Sequence, residues 1–112
     1  MTMAMTYELG EIMAERQLDA VTTEGARSQV TIRLGRPRPD ELSANGDWCC
    51  PHRITGLGEE SVGVAFGVDS LQALLLSVYK VRLKLDERAA AANVRLDWLG
   101  QPDLGLEIVP RD

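Results

Sequence analysis

The sequence predicts an α+β fold in two layers, a mainly antiparallel sheet of four to five strands under one long helix, in the order ββββαβ. Three observations carry that expectation. Apolar and polar residues alternate over five stretches, the spacing of half-buried strands. A capping signal at Asp69 opens a run of apolar residues at helical spacing that ends near Asn93. Most of the strand-like stretches follow one another through short turns, which favours antiparallel neighbours.

Between Glu8 and Val21 there is no Pro, and Ile12, Ala14, Leu18 and Ala20 alternate with Met13, Glu15, Gln17 and Asp19 in a long first strand. Thr22 to Gly25 reads as a turn, after which Val30, Ile32 and Leu34 alternate with Gln29, Thr31 and Arg33. Gly35 to Gly46 carries two prolines and an Asn-Gly pair, so it is expected to be the main loop. Trp48, Cys50, His52 and Ile54 then share one side of a third strand, whose Pro51 assigns it to an edge or a bulge. After a turn at 56–60, Val62, Val64, Phe66 and Val68 form the apolar side of a fourth strand. The opposite side, Gly63, Ala65 and Gly67, has so few atoms that another backbone or side chain could approach closely, but the plainer expectation is a face that lacks a core to pack on.

Asp69 is placed as a helix N-cap, with Gln72 completing a capping box and Val68 stapling against Ala73. At 100° per residue, Leu71, Leu74, Leu75, Val78, Val81 and Leu85 gather on one side, and Leu76, Tyr79 and Leu83 widen the apolar arc to roughly 220°. One sheet covers only about 100° of such an arc. The excess is expected to meet either the C-terminal segment, Leu104, Leu106 and Ile108, or a second subunit. Arg82, near the middle of the arc, is expected to snorkel or to stack on Tyr79 or Trp98. Asn93 is the expected stop, and Val94, Leu96 and Trp98 alternate as a last short strand. The predicted core joins Trp48, Ile54, Val64, Phe66, Leu71, Leu75 and Val78.

At 112 residues, with 45% hydrophobic and 26% charged residues, the composition is that of one globular domain. The net charge of -5 counts against nucleic acid as a partner, because affinity for phosphate comes mostly from Lys and Arg. The longest aliphatic run, Leu74-Leu75-Leu76, is far short of the roughly 20 residues that span a bilayer, so no membrane is expected. Met1 to Gly10 lacks the basic residues of a signal peptide. Adjacent Cys49 and Cys50 would point to opposite faces of a strand, so no structural disulfide joins them and a reducing cytoplasm is expected.

The search for chemistry returns little. Gly56-Leu57-Gly58 is followed by Ser61 where a dinucleotide fingerprint needs a third Gly, and Gly63 to Gly67 lacks the Lys and Ser/Thr of a phosphate loop. One His and two adjacent Cys do not make a four-ligand zinc site, and no cofactor is expected. Arg27, Arg33, Arg36 and Arg38 make 21–40 locally basic, which fits an anion or partner patch and equally a solvated hairpin and loop, with no interleaved aromatic to stack bases. The candidate ligand or partner site is Trp48, Cys50, His52, Arg53 and Trp98. Cys50 and His52 share a strand face, which would bring an imidazole to a thiol and lower its pKa. Core packing explains the same residues, since Cys is among the most buried types.

The strings Gly46-Asp47-Trp48-Cys49-Cys50-Pro51-His52-Arg53-Ile54, Gly67-Val68-Asp69-Ser70-Leu71-Gln72-Ala73-Leu74, Trp98-Leu99-Gly100 and Asp103-Leu104-Gly105 together resemble an uncharacterised family of small bacterial proteins, a domain of unknown function. The resemblance implies a bacterial cytoplasmic protein of one compact domain and transfers no activity or binding residue. His52 stands where that pattern more often has Tyr or Phe, which favours packing over catalysis. The expected function is a non-enzymatic interaction or accessory module, immunity-type or regulatory, that pairs as a homodimer and meets an unidentified protein partner. The alternative is a small-molecule binder or a thiol-dependent enzyme built on Cys50, His52 and Arg53.

Overall fold

The turn at Thr22 to Gly25 closes the first hairpin of the computed structural model, which describes residues 7–107. Strand β1 (Ile12–Thr22) pairs antiparallel with β2 (Arg27–Gly35), setting Leu18 opposite Val30 and Arg16 opposite Ile32. Gly25, at φ 89°, takes the left-handed conformation the turn requires. The expected loop contains one more short strand, β3 (Arg38–Pro39), which pairs with the start of β4 (Trp48–Thr55). Then follow β5 (Gly63–Gly67), the helix α1 (Ser70–Ala92) and β6 (Val94–Asp97), which pairs with the end of β1. Every pairing is antiparallel, so the α+β class holds, with six strands and one helix among the described residues. No helix among the described residues is long and apolar enough to cross a membrane.

Pro51 does not mark an edge. Strand β4 is the hub of the sheet, with β5 along residues 48–52 on one side and β3, then β2, on the other. On that second side the pairing with β3 ends at Cys49 and the pairing with β2 begins at His52. Pro51 sits in the gap between the two, where its missing N–H removes no ladder bond.

The larger correction concerns β5 and the helix. Cross-strand partners share a face, and Ala65 lies opposite Cys50 and Gly63 opposite His52. The Gly63-Ala65-Gly67 side therefore faces α1, and Phe66 is 42% exposed, its ring packed edge-on against Tyr7. The helix has turned to match: its buried residues are Ala73, Ser77, Val81 and Leu85, while Leu71 and Leu75 are each 60% exposed. Small residues on both surfaces let the backbones approach. A methyl at Gly67 would overlap the Ala73 backbone nitrogen, and one at Gly63 would overlap Lys84 Nζ and His52 Nε2. The core is then Leu18, Ala20, Val30, Ile32, Ile54, Leu57, Val81 and Leu85. Of the seven residues expected there, Ile54 alone belongs to it; Trp48, Val64 and Val78 are half-buried.

The cap signals hold. Asp69 Oδ1 accepts from the Gln72 backbone N–H at 2.8 Å, and Gln72 Oε1 accepts from the Val68 N–H at 2.7 Å. Val68 itself stays exposed and makes no staple. Asn93, at φ 55°, closes the helix in the left-handed conformation. Arg82 pairs with Glu107 at 3.5 Å, and it is Arg16 that stacks on Trp98, 3.7 Å from the ring centroid. In the tail, Leu104 and Leu106 pack on the core cluster; Ile108 lies outside the described residues.

Candidate functional site

Where α1 crosses β4, a line of polar groups runs between helix and sheet, buried at Ser77 and His52 and half-buried at Lys84. His52 and Ser77 are both buried, and Ser77 Oγ lies 2.8 Å from His52 Nδ1. Lys84 Nζ lies 2.8 Å from the other ring nitrogen, Nε2. These contacts fix the tautomer. The Ser77 hydroxyl donates its one proton to the Cys50 carbonyl at 3.1 Å, so Ser77 Oγ accepts from Nδ1–H and Nε2 is left to accept from Lys84. Each buried polar atom in the line has a partner, and no described buried side-chain N or O atom is orphaned.

The electrostatics follow from the packing. Burial, then the positive charges of Lys84, Lys80 and Arg88, push the His52 pKa down to about 4, so the imidazole is neutral at pH 7. Burial and the neighbouring Arg88 and Lys80 hold Lys84 below its ordinary value, with Glu59 opposing them. The Cys50 thiol lies beside the line, where the Ser77 hydroxyl works against the effect of burial on its pKa. It donates to the Gly35 carbonyl at 3.4 Å, and burial pushes its pKa up, away from thiolate chemistry.

A second feature lies on the same side of the sheet. The uncovered part of the sheet and the tail leave a cleft of about 220 Å³ lined by Ala14, Ile32, Leu34, Val78 and Leu106, with Arg16 at its rim. Arg16 also ties the tail down, donating from Nη1 to the carbonyls of Leu104 and Gly105 at 2.9 and 3.0 Å.

A family described as a domain of unknown function, DUF6968, matches residues 14–108. The chain belongs to the DUF6968 family. No curated protein and no solved structure matches it. The matched span of this DUF6968 chain takes in the whole polar line and the cleft.

The residues singled out from sequence divide among three places. Cys50 and His52 do share the helix-facing side of β4, with half-buried Trp48 on the same side opposite Gly67. Arg53 faces the other way and donates to the Glu60 carbonyl at 2.7 Å. Trp98 forms the Arg16 cluster at the end of β6. Ser77, Lys84 and Gly63 were not anticipated as site residues. The signal available for two of them was spacing: Ser77 and Lys84 are seven apart, two turns along one helix face. Among the described residues no group of three or more His, Cys, Asp and Glu side chains is placed to hold a metal ion.

Proposed function

We propose that the chain is a non-enzymatic interaction module that docks through the outer face of α1, with a second copy as its occupant in a two-fold pair. The observation that carries this reading is the exposure of Leu71, Leu75, Tyr79 and Leu83, which recur at every fourth residue and are each at least 50% exposed. The described part of the tail packs beside Arg82 and Leu85 and leaves Tyr79 and Leu83 uncovered. With Leu76, these side chains present apolar surface on the order of 500 Å², at the upper end of what monomers leave in water. With its rim, such a patch approaches the roughly 800 Å² per partner of a standard interface. A two-fold pair is the commonest closed arrangement of soluble oligomers.

Sedimentation velocity at micromolar concentration is expected to give twice the 12.3 kDa chain mass. Leu83→Glu should return the monomer by placing an unpaired charge in the contact. A wild-type monomer overturns self-association. The cleft favours a second reading, a binder of a small apolar molecule, although its volume of about 220 Å³ is below the 300–1,000 Å³ or so of drug-sized sites. Filling it with Ala14→Phe should abolish such binding and leave the sedimentation result unchanged.

A further inference from the structure

The chain has only two lysines, Lys80 and Lys84, one helical turn apart. Their surroundings differ. Lys80 is exposed, and its ammonium donates to the Val64 carbonyl at 3.0 Å, an ordinary tie between helix and strand edge. Lys84 is half-buried, and its partner at 2.8 Å is the neutral Nε2 of a buried imidazole. Lys80 and Arg88 stand four residues to either side of it on the same helix face, and the β4–β5 turn brings up Glu59 as the opposing charge. Among the described residues no carboxylate lies within ion-pair distance of either lysine. A cation is thus poorly supported at Lys84, whereas an N–H donor is well supported. Glycine at 63 lets Nζ and Nε2 lie together against the β5 backbone, in space that any Cβ there would have to share with both.

We propose that Lys84 is an acylation site that takes the acyl group of a small thioester, with His52 receiving the proton. The neutral amine attacks the thioester carbonyl carbon, so that an N–C bond forms and the C–S bond breaks. The thiolate leaves with the electron pair. The proton lost from nitrogen passes to Nε2 and then to the thiolate, giving an amide and a thiol and returning His52 to its neutral form. Geometry favours an acyl donor over an aldehyde. The amide product is uncharged between Lys80 and Arg88 yet keeps an N–H to donate to Nε2. An imine keeps no N–H, and an iminium restores the cation. Desolvation and flanking cations are general means of activating an amine nucleophile.

The two lysines form an internal control. The full chain is incubated with acetyl coenzyme A near neutral pH, and acetylation at each lysine is followed by peptide mass spectrometry. Lys84 should react at least about fivefold faster than Lys80 in the native chain, and the two rates should converge in urea, where only the sequence surroundings remain. Its rate should also reach half-maximum below the ordinary lysine range. In His52→Gln the preference should fall while the Lys80 rate stays unchanged. Equal rates in the native chain, or a preference that survives in urea, overturn the proposal. A preference kept in a folded His52→Gln overturns the role of His52.

Discussion

Gly67 and His52 show how single residues set the helix-to-sheet distance. An added methyl at Gly67 meets backbone atoms of α1, which cannot rotate away as a side chain would. Gly67→Ala must therefore push the N-terminal turns of the helix off β5, and the expected cost is about 1–3 kcal/mol, the usual range for overpacking. Equilibrium urea unfolding reads it as a lowered midpoint with the slope unchanged. At His52 the consequence is a dependence on pH. Its folded-state pKa is about 4, against about 6.5 in an unfolded chain. Between those values the unfolded state binds the extra proton and the folded state does not, so stability rises with pH and is lost as pH falls through the window. Between pH 7 and 5 the wild type should lose up to about 2 kcal/mol. His52→Gln, which has no proton to gain, should lose less over the same interval in the same assay.

The elements legible in the sequence are those decided locally. The β1–β2 hairpin follows from alternation and a Gly-containing turn, and the limits of α1 follow from Asp69, Gln72 and Asn93, each acting within four residues. Asp69→Ala should cost about 1 kcal/mol as a lost N-cap. Asn93→Gly should leave the urea midpoint unchanged or slightly raised, because glycine takes the left-handed conformation without a Cβ penalty. What the sequence left illegible is which face of β5 and α1 turns inward. Val64, Phe66, Leu71 and Leu75 are the apolar choice, yet β5 is bound by its register to β4, and Gly63 opposite His52 fixes its orientation. Once that side is inward, the helix buries Ala73 and Ser77, and several of its leucines remain outside. The polar line was half legible for the same reason. Cys50 and His52 share a face by strand periodicity alone, but Ser77 and Lys84 arrive from 25 and 32 positions beyond His52, through the crossing of the helix.

At the scale of the molecule, α1 packs chiefly on β5 and β4 and reaches β6 at its end, so it does not cover the whole sheet. The remainder is partly covered by the described part of the tail, which forms no strand with its neighbours. Leu104 and Leu106 pack on the core, but the backbone of this segment is held mainly through Arg16, whose guanidinium stacks on Trp98 and accounts for the Leu104 and Gly105 carbonyls. Gly105 lies so close to Trp98 that a side chain there would overlap the ring. A segment with few backbone ties belongs to the part of a structure that opens before the whole unfolds. Arg16→Met keeps an apolar stem against Trp98 and removes both hydrogen bonds, so it should loosen the tail more than it weakens the domain. Limited chymotrypsin digestion should then cut at Leu104 or Leu106 several-fold faster than in the wild type, while the urea midpoint falls by the equivalent of about 1–2 kcal/mol or less. If cleavage and global unfolding instead shift together, the tail opens only with the sheet, and the packing of Leu104 and Leu106 on the core outweighs the two bonds from Arg16.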